Sequence, residues 1–369
     1  SIMKKIFYLF FVFTMLIGCH ESSNPSKIMA FDKIEYVHSF PKSYTLSNEK
    51  LVDWDLIGMK QFRIVDSLLI VSTNDKNGFW SFFLADDLSF KGSFIKQGQG
   101  PNEFIYSPDI INSSFQREKD LLIAYIYDFQ TGRLYKMNVD DSFSTQENIL
   151  ELTKDNLPPF LFDFAIIDDG IFYCKEIANE QTQQLRYILN HGEKETPIKF
   201  DRLNKAQVAK GEDFNIISSI TVKHPKKDII VEAPITLNQI NLFSCMGELQ
   251  KTICVGDKLD NIGSIENKIQ WMRIYTYGAV RTYNDFFAVL RIGDDKKTFQ
   301  TTRKSLPIIQ LFNWEGEPIA EIKVNRFITS FDFDLRNKYL YTLDSPTDEF
   351  YRYNISSILN DIIPNLTKK

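Results

Sequence analysis

Histidine and cysteine are both scarce in this chain, four of each among 369 residues. The histidines, His20, His38, His191 and His224, are scattered, and no H-x-x-x-H or C-x-x-C spacing occurs. That excludes the common zinc arrangements. No G-x-S-x-G elbow is present, so the strained serine nucleophile turn is missing too. Basic excess is absent: 43 Lys and Arg stand against 48 Asp and Glu, a formal net charge of −5. Nucleic-acid binding needs a basic face, so that partner class is set aside. The apolar run Ile6 to Ile17 is too short to span a bilayer as a helix. Cys174 reads as a buried free thiol. Cys245 and Cys254 flank a turn at Met246-Gly247 but do not fall opposite each other in hairpin register, so no disulfide is expected.

What the chain does have is a repeat. Short apolar strands begin at Leu68, Leu121, Ile171, Ile229, Phe286 and Tyr339, in steps of 53, 50, 58, 57 and 53 residues. A period of that length marks an array of supersecondary units. Each of these strands follows another strand candidate and a short polar turn, such as Asp168-Asp169-Gly170 or Leu335-Arg336-Asn337. Each is followed by a second hairpin, with turns at Asp86-Asp87, Asp140-Asp141, His191-Gly192, Met246-Gly247 and Glu315-Gly316. Four antiparallel strands per unit and six units predict an all-β, six-bladed β-propeller. A β-solenoid is the competing array, but its coils are shorter and lack paired hairpins. The last unit is one strand short, and Ser356 to Lys369 shows no strand pattern. Ile34 to Phe40 alternates apolar and polar before the first unit, and is expected to complete blade six and close the ring. The 43% hydrophobic content suffices for a large core, and the 31 Phe and 16 Tyr suit packing between blades.

The N-terminus stands apart from the repeat. Lys4-Lys5, the apolar run and Leu16-Ile17-Gly18-Cys19 resemble a bacterial lipobox, in which Cys19 is acylated. The organisation expected is a signal peptide over 1–18, a lipidated Cys19 with a polar tether over 19–30, and one propeller domain over 31–369. Loss of 1–18 removes two lysines and no acid, taking the charge from −5 to −7. The expected location is the cell envelope, anchored to a membrane by acyl chains on Cys19, at the outer membrane and facing periplasm or surface.

Antiparallel topology gives the disc two unlike faces. The turns between first and second and between third and fourth strands are short. The other connections are long, including 153–160, 201–215, 256–277 and 293–306, so a ligand is expected on the long-loop face near the central channel. One connection reads Lys96-Gln97-Gly98-Gln99-Gly100-Pro101-Asn102-Glu103-Phe104. This stretch is similar to the G-x-G-P-x-E-F segment of TolB-like, NHL-related six-bladed propeller lipoproteins of Bacteroides-type bacteria. The resemblance covers most of the mature chain through the repeat, and it implies fold and location rather than chemistry. Gly98 and Gly100 permit positive φ and Pro101 fixes the bend. Either the motif shapes the crossing from blade one to blade two with Phe104 packed between blades, or Gln97, Asn102 and Glu103 are polar rim groups of a site. It is not a dinucleotide loop, since Glu103 stands at the third glycine position.

Trp271-Met272-Arg273-Ile274-Tyr275-Thr276-Tyr277 leads into blade five, and alternation puts Trp271, Arg273, Tyr275 and Tyr277 on one side. Such a stripe is either packing between blades or a stacking platform for sugar or peptide. Lys296, Lys297, Arg303 and Lys304 make the following insertion basic, as a solvated loop or a site for an acidic group. Asp109, Asp163, Asp332 and Asp334 are placed in innermost strands, where carboxylates either tolerate channel water or ligate Ca²⁺. Two functions compete: a non-catalytic, membrane-anchored scaffold binding a glycan, peptide or partner protein, which needs no cofactor, and a metal-dependent hydrolase or lyase at the channel mouth.

Overall fold

The computed structural model describes residues 25–303 and 305–366; the signal-peptide stretch 1–18, Cys19, tether residues 20–24 and Lys304 lie outside them. The described residues form six sheets, each built on an antiparallel four-stranded blade, arranged as a β-propeller. The innermost strands are Gln61–Val65, Ser114–Glu118, Asp163–Asp168, Ser219–Lys223, Ile274–Thr282 and Ser330–Asp334. The second strands begin at Leu68, Leu121, Ile171, Ile229, Phe286 and Tyr339, as the repeat predicts. These strands pack between neighbours on both faces, so they read as continuous apolar runs rather than alternation. In blade one all of Leu68–Ser72 is buried.

The aromatic residues hold the ring. Every interface between blades carries at least one ring contact, among them Trp80 on Phe115, Tyr127 on Phe164, Tyr173 on Phe243, His224 on Trp314, Phe286 on Phe333 and Phe62 on Phe350, with centroids between 4.4 and 6.1 Å. Aromatic pairs of this geometry add about 0.5–1.5 kcal/mol each beyond their buried area.

Ring closure follows the expected principle but uses another strand. Ile34–Val37 pairs in parallel with Thr252–Val255 on the outer edge of blade four. Ser43–Leu46 then pairs in parallel with Glu321–Val324 outside blade five. Only Lys50–Leu51 completes blade six, antiparallel to Tyr351 and Arg352. The N-terminal segment is thus a strap around three blades, pinned by buried Met29 and Phe31 and by the Phe31 N–H on Thr252 Oγ1 at 2.8 Å. Alternation in Ile34 to Phe40 identifies a strand with one covered face; it does not identify its partner. Asp348 fastens the closure by accepting from Met59 N at 2.7 Å and Gly58 N at 3.0 Å.

Two further expectations are corrected, for Asp140-Asp141 and for Asp109, and the C-terminal segment, left open by the sequence, takes a definite form. Asp140-Asp141 is not a turn but the first turn of a helix, Val139–Thr145, N-capped by Asn138; acids there suit the positive end of the helix dipole. Ser356–Leu366 is a helix whose Ile358, Leu359 and Ile362 are buried, and Lys42 of the strap reaches its Asp361 at 2.6 Å. Asp109 lies in the connection from blade one to blade two, before the innermost strand Ser114–Glu118 begins. Cys174, Cys245 and Cys254 are buried free thiols.

Candidate functional site

The long-loop face exposes several large apolar side chains. Half or more of Tyr106, Phe160, Ile269, Trp271 and Met272 remains open to solvent, and nearly half of Phe129. Contiguous apolar surface of this kind marks an interaction face. Tyr106, Phe129 and Phe160 belong to three separate connections that meet between blades two and three, with Phe129 and Phe160 edge-to-face at 5.4 Å. Phe160 packs on Phe129, which with Tyr106 lines a cleft of about 380 Å³. Its geometry depends on the tight turn Asp128–Gly132, where Asp128 accepts from Thr131 Oγ1 at 2.6 Å and Gly132 has φ of 72°. A Cβ at Gly132 would collide with the carbonyl of Leu157, so glycine is required there. Tyr127 donates to the carbonyl of Pro158 at 2.6 Å and accepts from Leu161 N at 3.1 Å, fixing the wall. Burial pushes its phenol up to about 12.

The cleft floor is acidic. Asn112 Nδ2 donates to Asp109 at 3.1 Å and to Asp163 at 3.2 Å. Asp128 also lines the cleft, and no Lys, Arg or His does so among the described residues. The counter-charge sits behind the floor. Lys175, fully buried, contacts Asp163 at 2.5 Å and Glu232 at 3.9 Å, while Arg186 holds Glu232 through two nitrogens, Nε at 2.8 Å. Burial alone would raise the Glu232 carboxyl, but Arg186 and Lys175 outweigh it and hold it at about 2.

Beyond Phe162, which meets Phe214 edge-on at 6.4 Å, the apolar surface continues toward blade five. Asp213 accepts there from Arg273 at 3.2 Å and Gln270 at 3.4 Å. The predicted aromatic stripe is therefore split rather than one-sided. Trp271 is in a 3-10 turn, Gln270–Met272, under the ammonium of Lys296 at 5.3 Å. Arg273 is buried, Tyr275 packs on Phe299 at 5.4 Å, and Tyr277 is fully buried in the core. Strict alternation fails because the strand begins only at Ile274, and its register shifts on either side of Tyr277.

The Gln97–Phe104 motif is engaged with itself. Gln97 Nε2 donates to the carbonyl of Ile105 at 3.0 Å, and Glu103 accepts from Gly100 N at 2.9 Å. The positive φ falls on Asn102, at 63°, not on Gly98 or Gly100. A Cβ at Gly98 would displace the Glu103 carboxylate from the place where it accepts from Gly100 N. Phe104 is buried against Tyr135 at 5.2 Å. The motif builds the wall that presents Tyr106.

The four acids do not converge. Asp332 accepts from Ile64 N at 2.8 Å and Tyr283 Oη at 2.6 Å, and Asp334 accepts twice from Asn337 at 3.0 and 2.9 Å. Asp163 is held by Lys175 and Thr221. Among the described residues no three His, Cys, Asp or Glu side chains are grouped to hold a metal ion. The residues present do not fit a bound divalent cation.

No protein-family model matches the chain, and no curated protein matches it. Solved structures do. A DUF4221 family member from Bacteroides vulgatus aligns with 83% of this chain and 98% of its own, at 12% identity and a TM-score of 0.51. Chaetomium thermophilum Raptor aligns with 86% of this chain at 11% identity and a TM-score of 0.46, and this chain spans 29% of it. Kuenenia stuttgartiensis hydrazine synthase aligns over 85% at 11% identity and a TM-score of 0.43. At these identities the likeness is one of fold. Sequence reasoning missed Tyr106, Phe129 and Phe160, which lie in three separate connections and carry no shared signal along the chain.

Proposed function

We propose that this chain is a non-catalytic binding scaffold of the cell envelope, anchored at the outer membrane through Cys19, whose long-loop face holds a segment of a partner polypeptide. The observation that carries this reading is the cleft between blades two and three, with an aromatic rim and an acidic floor. Aromatic walls accept apolar and cationic groups alike, a desolvated cation over a ring contributing about 2 kcal/mol. Asp109 and Asp128 retain acceptor capacity beyond the bonds they already receive. The occupant that suits both is a Lys or Arg side chain flanked by apolar residues, which would continue over Trp271 and Met272.

The test is selection of a displayed random-peptide library on the full chain carrying Cys19→Ser, with a glycan array in parallel. Enrichment of basic residues beside apolar ones, lost on the Phe129→Ser/Asp109→Asn variant, supports the reading. Enrichment that survives in that variant, or binding of glycans alone, overturns it. Acylation is checked separately by fatty-acid labelling, which should vanish in Cys19→Ser.

A further inference from the structure

The opposite mouth of the ring has the reverse chemistry. A funnel of about 770 Å³ opens on the short-turn face, lined by Arg63, Arg117, Lys226, Arg281 and Arg336 against Asp66, Asp332 and Asp334. The cleft on the other face has three aspartates and no base. The segment Ile111 to Ser113 separates them, Ile111 lining the funnel and Asn112 and Ser113 the cleft.

What distinguishes the funnel is which groups remain unpaired. Its acids are engaged: Asp66 by Arg117 Nε at 2.7 Å, Asp334 by Asn337, and Asp332 by Ile64 N and Tyr283. Of its five cations, Arg117 and Arg336 are engaged too, by Asp66 and Asp86, while Arg63, Arg281 and Lys226 keep unused donors. Arg63 donates only through Nη1, to the carbonyls of Ile110, Ile111 and Ser113, leaving Nε and Nη2 without a protein acceptor among the described residues. Arg281 is 5% exposed; its Nη1 donates to the carbonyl of Val280 at 2.8 Å and its Nη2 to the carbonyl of Phe62 at 3.1 Å and Ser330 Oγ at 3.0 Å, so only its Nε, 3.7 Å from Asp332, has no hydrogen-bond partner. Lys226, exposed on the turn after the innermost strand of blade four, makes no hydrogen bond through its ammonium among the described residues. Guanidinium donors in a partly enclosed site suit carboxylate and phosphate oxygens.

We propose that the short-turn funnel is a binding site for a small oxyanion, a compound bearing a carboxylate or phosphate group, held between Arg63, Arg281 and Lys226. The cavity is large enough for the anionic group to carry an organic body, within the range usual for small-molecule sites. The site is independent of the long-loop cleft.

The test is titration of the full chain carrying Cys19→Ser with inorganic phosphate and with citrate, followed by calorimetry and by melting temperature, at ionic strength matched with sodium chloride. A ligand that binds the native state raises the melting temperature and does so saturably. The expected result is saturable binding of at least one anion, weakened about tenfold or more by Lys226→Glu, an exposed position that leaves the fold intact. Arg117→Gln, at the mouth, should weaken binding by a smaller factor, and Phe129→Ser in the cleft should not change it. No saturable signal above matched chloride overturns the proposal, as does binding that Lys226→Glu leaves unchanged.

Discussion

The guanidinium of Arg63 donates to the carbonyl of Ser113 at 2.5 Å, joining the innermost strand of blade one to the connection that crosses into blade two. The same Nη1 faces the carbonyls of Ile110 and Ile111, each at 3.3 Å. Arg63→Leu should therefore leave three inward carbonyls without their donor and lower unfolding stability by about 2–4 kcal/mol. Arg63→Lys should recover part of it. Urea denaturation of the three proteins checks this, and equal stability of Arg63→Leu and wild type would contradict it.

The ion network behind the cleft gives a second expectation. Glu232→Gln leaves Arg186, essentially fully buried, without its carboxylate partner and buried Lys175 with Asp163 alone. Removing one member of a buried network costs about 3–5 kcal/mol, whereas replacing a whole pair by apolar groups costs much less. Glu232→Gln should thus be less stable than Arg186→Met/Glu232→Leu, measured by the same denaturation.

His224 makes stability depend on pH. Burial first, then the charges of Lys227, Lys223 and Lys226, lower its pKa from 6.5 to about 4. Its Nδ1 accepts from the amides of Lys226 at 2.9 Å and Lys227 at 3.1 Å, which places the proton on Nε2. Folding favours the neutral ring, so this contribution is complete above pH 6.5 and is lost as pH falls toward 4. The loss should be roughly 3 kcal/mol by the acid end of that window. His224→Asn keeps an acceptor for the two amides and should flatten the profile there. The carboxylate of Glu232, held at about 2, is lost only below this range, as pH falls from 4.5.

The strap is tested by Phe31→Ala. Phe31 is buried edge-on against Phe243 at 5.7 Å, on the outside of blade four. A buried Phe truncated to Ala typically costs about 3 kcal/mol or more. A thermal melt unchanged by Phe31→Ala would mean that the strap is not part of the cooperative fold.

The fold was legible because the second strand of each blade is buried on both sides and cannot avoid an apolar run. The turns beside those strands were legible because Asp, Gly and Asn are needed where the chain reverses. The strap was only half legible: Ile34–Val37 shows its covered face, yet parallel addition outside blade four leaves no mark that differs from pairing with Tyr351. The helix at Val139 was hidden because Asp140-Asp141 serves a turn and a first helical turn equally well. The cleft was not legible at all. Tyr106, Phe129 and Phe160 lie in connections that meet only after three blades have closed, and each by itself is an ordinary loop aromatic. The stripe from Trp271 to Tyr277 misled for the opposite reason, since its period is regular but the backbone that would present it is not a strand until Ile274.

The central claim is that the long-loop face, not the short-turn face, meets the partner. Site-specific photo-crosslinking in intact cells measures it directly, with the reactive side chain placed at Phe129 or Trp271 on one face and at Met246, equally exposed, on the other. The account predicts discrete protein adducts from positions 129 and 271 and none from 246. Adducts from 246 alone, or the same adducts from all three positions, would contradict it.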